Sequence, residues 1–307
     1  MMRRTAVTLA ALAGLGGLAA CSAPSALAPA ASTTSTAARP TAVRTVKPRP
    51  TPKPKPKPPP PAARVTVTQT RTADGALVTV AIFSGPATYV LHDGSEDPGL
   101  AAGRVQAGPA VTRAERPRLL AAFNGGFKLS AGAGGYVQEG HVAAALQRGL
   151  VSLVIDRSGQ ARIGVWGHGV PGPGEAVYSV RQNLTPLVLD GSPTAAAADP
   201  WLWGATLGGG VDVARSAVGQ DAAGDLEFAA SMYASPADMA TALARAGARI
   251  AMEFDINPEW VQLDVASHPG GPLRAAVPGQ VRPADQFLVG WARDFITVLA
   301  PPGQAAS

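Results

Sequence analysis

The sequence predicts an α+β domain built on a mostly antiparallel β core with a few packed helices. Three observations lead there. Short apolar or alternating runs recur along the chain, Gly, Asp and Ser punctuate them, and only one segment carries the signals of a well-formed helix. A regular strand–helix alternation, the mark of a parallel sheet, is missing.

Taken in order, residues 65–70 and 77–83 alternate as half-buried strands do, and Ala73, Asp74 and Gly75 between them supply turn chemistry, so the pair reads as a hairpin. Residues 119–123 form a short apolar run that breaks into Asn124, Gly125, Gly126 and Phe127. Residues 151–156 and 161–166 flank Arg157, Ser158 and Gly159 and predict a second hairpin. Residues 187–190, 210–218 and 226–230 continue the strand series, and Asp190-Gly191 is a turn dipeptide. One helix follows. Ser235 suits the N-cap, Pro236 the first helical position, Asp238 the positive helix end and Gly247 the exit, with Met239, Leu243 and Ala246 on one face for packing. It feeds a strand at 250–255, and residues 293–299 make a last strand.

Ahead of this domain, assigned to residues 64–307, the chain is of another kind. Met1, Met2, Arg3 and Arg4 precede an apolar run ending at Cys21, which reads as a secretory signal too short for an ordinary membrane span. Leu18-Ala19-Ala20-Cys21 resembles the lipobox of bacterial lipoproteins, in which the Cys is lipidated and becomes the new N-terminus. That implies attachment to the cell membrane on its extracytoplasmic face. Cys21 is the only cysteine, so no disulfide, thiolate metal cluster or catalytic Cys is open to the domain. Residues 22–63 are rich in Ala, Ser, Thr and Pro and cannot build a core. Their second part, with Lys53, Lys55 and Lys57 between prolines, favours polyproline II and acts as a spacer rising roughly 3 Å per residue. It reads either as a stalk whose charges touch anionic lipid or phosphate-containing wall polymer, or as a plain solubilising spacer.

The charge balance follows from this division. Nine of the 26 basic residues lie in residues 1–63, which hold no Asp or Glu, leaving 17 basic against 21 acidic groups beyond. The domain is acidic, has no basic stripe with interleaved aromatics, and is not expected to bind nucleic acid.

Residues 249–260, Arg-Ile-Ala-Met-Glu-Phe-Asp-Ile-Asn-Pro-Glu-Trp, run from a buried strand straight into carboxylates. Residues two apart on a strand share a face, which sets Glu253 and Asp255 side by side, and Pro258 turns the chain outward where binding groups concentrate. Glu253 as a salt-bridged residue and Asp255 as a turn former is the plainer alternative. Nucleophile-elbow, zinc-protease, P-loop and dinucleotide signatures are missing, no cofactor is implied, and no ligand spacing supports a metal. His92, His141, His168 and His268 lie apart and read as surface residues. Trp201, Trp203, Trp260 and Trp291 suit sugar stacking or core packing.

Phe123-Asn124-Gly125-Gly126-Phe127, then Gln182-Asn183-Leu184 leading into residues 187–191, then Arg215-Ser216-Ala217-Val218-Gly219, then the capped helix before Glu253 and Asp255, resemble in this order the phosphodiester glycosidase domain family. The resemblance covers roughly residues 119–298. It implies a hydrolase cleaving glycosyl phosphodiesters of envelope or extracellular glycopolymers, with Asn124, Arg215 and Asp255 lining the pocket. In that reading Asp255 is base or nucleophile, Glu253 the second carboxylate, and Arg215 the fork that neutralises phosphate. Asn124 and Gly125 approach the ligand from their turn, and Arg181, Asn183 and Asn257 add polar contacts. Asn124 supporting its own turn and Arg215 in a structural ion pair are the alternatives. After its late-strand Asp the family typically has a glycine run and Ser, whereas Ile256, Asn257, Pro258 and Glu259 stand here and reshape that wall. A different phosphodiester, or a non-catalytic glycopolymer-binding lipoprotein on the same fold, are the two consequences.

Overall fold

The computed structural model describes residues 62–100 and 105–304; the expected leader with Cys21 and all but the last two residues of the expected spacer lie outside them. Three sheets of seven, six and five strands carry the architecture. The first runs, edge to edge, through Arg64–Arg71, Leu77–Ser84, Leu226–Ala234, Val213–Gln220, Ile250–Glu253, Val188–Leu189 and Ser192–Pro193. The second has the order His141–Ala144, Tyr136–Gln138, Ser179–Gln182, Val151–Ile155, Ala161–Trp166 and Gly169–Val170. The third has Leu273–Ala275, Leu263–Ala266, Leu119–Asn124, Phe295–Leu299 and Thr88–His92. Every pairing within these sheets is antiparallel except the short one between Gly169–Val170 and Ala161–Trp166.

The expected α+β class with packed helices is therefore corrected to a β-rich fold. Among the described residues the α-helices are Pro236–Ala246, of 11 residues, and Gln286–Val289, of four. The reason lies in how the sheet faces are covered. Strand alternation gives the seven-stranded sheet two apolar faces. On one, Phe83, Val218, Phe228 and Met252 join the other sheets in the largest core. Phe123 of the five-stranded sheet stacks on Phe83 and Phe228 there, with centroids 5.5 and 4.5 Å away. On the other face, Val78, Val80, Ala217, Ala229 and Ala251 meet Met239 and Leu243 of the long helix. One helix and the fully buried Trp203 suffice to cover that face, so further helices have nothing left to bury.

Local signals set the ends. Ser235 Oγ accepts from the Asp238 N–H at 3.1 Å and Asp238 Oδ2 accepts from the Ser235 N–H at 3.0 Å, a reciprocal cap that starts the long helix. Asp190 and Gly191, at φ 52° and 81°, make the tight turn between Val188–Leu189 and Ser192–Pro193. His92 is not the surface residue its surroundings in sequence indicate: it is fully buried, stacks on Phe295 and meets Glu115 through Nε2 at 3.0 Å. Among the described residues no helix is long and apolar enough to cross a membrane.

Candidate functional site

Strand ends from all three sheets converge on one region: Asn124 closes a strand of the five-stranded sheet, Arg181 and Gln182 one of the six-stranded sheet, and Glu253 one of the seven-stranded sheet. Beyond Glu253 the pairing with Val213–Gln220 becomes irregular. The Phe254 N–H donates to Ser216 O at 2.7 Å while the Ser216 N–H donates to Asp255 O at 2.8 Å, so two residues oppose one, as in a β-bulge. A bulge breaks the two-residue alternation, and Glu253 and Asp255 part company. Glu253 Oε1 takes Arg215 Nη1 at 2.6 Å, whereas Asp255 opens on a cavity of about 510 Å³.

Phe127, Lys128, Ile256, Asn257 and Trp260 line that cavity with Asp255, and Gly204 closes one wall. Asp255 Oδ1 accepts from the Asn257 N–H at 2.9 Å, and Oδ2 lies 3.7 Å from Arg293 Nη2. The Arg293 guanidinium stacks on Trp260, 4.3 Å from the ring centroid, donates to Gly126 O at 2.9 Å and pairs with Asp97 at 3.4 Å. Lys128 Nζ stands 5.0 Å from the centroid of the same indole. Burial pushes the Asp255 carboxyl up to about 7, against the opposing pull of the Asn257 N–H and Arg293. Burial likewise pushes Glu253 up to about 7 against Arg215.

The other sequence-selected residues stand behind this wall. Arg215 is fully buried and spends Nε on Ala234 O at 2.9 Å, Nη1 on Glu253 and Nη2 on Val211 O at 3.1 Å. A fork occupied on three sides ties strands together and leaves no edge open for phosphate. Asn183 Nδ2 donates to Glu253 O and Phe254 O at 2.9 and 3.0 Å, and its Oδ1 accepts from the Phe127 N–H at 3.2 Å. It thereby holds the cavity's two walls in register. Asn124 Nδ2 donates to Ser216 Oγ at 2.8 Å, and that hydroxyl oxygen accepts the Asp255 N–H at 3.1 Å. Arg181 pairs with Asp294 at 2.8 Å, both buried, and also donates to Phe127 O. The arrangement is a scaffold of fixed amides and ion pairs around one cavity-facing carboxylate.

Gly125 and Gly126 serve this scaffold. A Cβ on Gly125 would fall inside the Asp294 carboxylate, and one on Gly126 would meet the Arg181 guanidinium carbon at 2.9 Å. The paired glycines thus admit a buried ion pair rather than a ligand. Gly125→Ala is expected to break the Arg181–Asp294 pair and cost about 3 kcal/mol, the range for disrupting a buried pair. Chemical denaturation of the variant measures it, and an unchanged midpoint would refute the reading.

Sequence reasoning passed over Lys128, Arg293 and Asp97. Arg293-Asp294, a charged pair opening the apolar Phe295–Leu299 strand, was the available signal. Nothing local announces Lys128.

No family model matches the sequence, and no curated protein matches it. Among solved structures, the chain is similar to the catalytic domain of zebrafish N-acetylglucosamine-1-phosphodiester alpha-N-acetylglucosaminidase auto-inhibited by its pro-peptide. The identity is 15%, the TM-score 0.48, and 77% of this chain and 82% of that chain are covered. It is also similar to a hypothetical protein from Synechocystis, at 15% identity and a TM-score of 0.47, over 80% of this chain and 64% of that one.

Proposed function

We propose that the protein is a hydrolase of glycosyl phosphodiesters in envelope or extracellular glycopolymers, exported and held at the membrane by a lipid on Cys21, with residues 22–63 as its stalk. The observation that carries the catalytic reading is Asp255, a carboxyl raised to about 7 and turned into a 510 Å³ cavity beside Lys128, Phe127 and Trp260. A base works best when its pKa lies near the working pH. The ordered motifs that resemble the phosphodiester glycosidase family support the substrate class.

The chemistry needs few groups. Cleavage at the anomeric carbon releases a phosphate monoester, a weakly basic leaving group that no acid has to protonate. Asp255 takes a proton from water, the water oxygen bonds to the anomeric carbon, and the bond from that carbon to the phosphodiester oxygen breaks. Lys128, exposed on the cavity wall, takes the role first assigned to Arg215 and neutralises the departing anion. Phe127 and Trp260 give the sugar apolar walls. Arg293 holds the ionised form of Asp255 within reach of neutral pH; Arg293→Gln is expected to raise the Asp255 pKa and move the acid limb of kcat/KM to higher pH. An unmoved limb in that variant would remove Arg293 from this role.

The test of the function is sugar release. The full chain is incubated with a synthetic N-acetylglucosaminyl phosphodiester and a glucosyl one. Release from either supports the reading. Saturable binding with no free sugar at any enzyme concentration would leave the glycopolymer-binding alternative, and neither binding nor release would sink both.

A further inference from the structure

We propose that the cavity holding Asp255 continues into a second compartment that seats another sugar ring joined to the first, so that the substrate is the end of a glycan chain rather than a single sugar. This rests on the glycosidase reading above. A second hollow of about 200 Å³ abuts the first and shares Ala133 and Leu184 with it, while Gln147, Thr185 and Leu202 form its far side. That is the space of about seven water molecules, enough for one pyranose ring. The two hollows meet at these two shared residues.

The shared wall carries a mark of its own. Leu184 has φ 57°, a left-handed conformation that a bulky side chain adopts only when its surroundings force it. Two backbone bonds do so: the Leu184 N–H donates to Ala133 O at 2.7 Å, and Leu184 O accepts from the Val151 N–H at 3.0 Å. The same bond ties the two shared residues to each other and fixes the waist between the compartments. Strain of this kind gathers at ligand clamps.

The far side mixes the chemistries that sugars use. Leu202 is half exposed, at 53%, and offers an apolar surface at the rim. Gln182, fully buried, clamps the main chain of Gln147 from both sides, accepting its N–H at 2.8 Å and donating to its carbonyl at 3.0 Å. The Gln147 side-chain amide makes no hydrogen bond among the described residues and is exposed beside Thr185, whose hydroxyl is likewise exposed. An amide, a hydroxyl and an apolar edge around a ring-sized space suit the alternating polar rim and apolar face of a pyranose.

Equilibrium binding to the full chain tests this with two probes, N-acetylglucosamine 1-phosphate and the 1-phosphate of a disaccharide ending in the same sugar. The disaccharide is expected to bind about tenfold more tightly. Thr185→Trp fills the second compartment without touching Asp255, Lys128 or Trp260, and is expected to erase that preference while leaving the affinity for the monosaccharide phosphate and the rate of single-sugar release unchanged. Equal affinities in the wild type, a preference that survives Thr185→Trp, or no binding of either probe would overturn the second compartment. Disaccharide preference without turnover would count against the hydrolytic step alone and uphold the compartment.

Discussion

Asp255→Asn is expected to lower sugar release by about 10²- to 10⁴-fold, the usual worth of a positioned acid–base group, while leaving the protein folded. The amide oxygen of Asn keeps an acceptor for the Asn257 N–H, which Asp255 Oδ1 holds at 2.9 Å, so the wall beside the cavity is preserved. What disappears is the one carboxylate lining this cavity. Stability should hold at neutral pH or rise slightly above it, because a buried carboxyl pushed up to about 7 is a cost once ionised. Single-turnover release and a thermal melt on the same sample separate the two effects. Retained release by a folded Asn variant would end the role of Asp255, and collapse of the fold would return it to the plainer reading of a turn-forming residue.

A loss of stability between pH 5 and pH 8 is the second large effect expected. Four buried carboxyls, Glu227, Glu253, Asp255 and Asp264, are each raised to about 7, in every case chiefly by burial. A raised folded-state pKa means that the native state holds its proton where the unfolded chain has released it. Its contribution is whole below the ordinary carboxyl range and is lost as pH climbs through about 7. Each group alone is worth on the order of 2 kcal/mol across that window. Glu115, Asp156 and Asp238 are held below their ordinary values by hydrogen bonds, and by His92 for Glu115; their contribution is present above pH 4 to 5 and fades only below it. They leave the slope from pH 5 to 8 untouched. Denaturant melts at four pH values in this window should therefore show falling unfolding free energy, and Glu227→Gln, which removes a carboxyl raised chiefly by burial, should flatten part of the fall. A curve that is level or rises with pH would contradict the burial of these groups as charged liabilities.

How far the sequence reaches depends on how local the cause is. The two hairpins, the capped helix and the Asp190-Gly191 turn are written in short-range chemistry: alternation, a Ser–Asp cap, residues that accept positive φ. The fold class is not legible in this way, because it depends on how faces are shared. The strength of one helix signal told nothing of how few further helices three sheets covering one another would need. His92 shows the same limit, since its burial between Glu115 and Phe295 joins residues distant in sequence.

The site divides along that line. Residue type and strand ending alone drew attention to residues 249–260, and Asp255 and Asn257 from that stretch line the cavity. Period-two alternation also paired Glu253 with Asp255, and only the tertiary structure separates them, because the bulge between them exists through its pairing with Ser216 on another strand. Arg215 in sequence reads as a phosphate fork or as a structural ion pair; in the fold Ala234 O, Glu253 and Val211 O occupy it. Lys128 and Arg293 meet at Trp260 through the docking of sheets, 5.0 and 4.3 Å from its ring centroid, and Arg293 Nη2 comes within 3.7 Å of Asp255 Oδ2. The sequence by itself determined where strands and turns fall and which stretch ends in carboxylates, because those follow from neighbours along the chain. The tertiary structure alone decided which carboxylate faces the cavity and which cation stands beside it, because side-chain partnership and desolvation are set by residues the chain brings together from far apart.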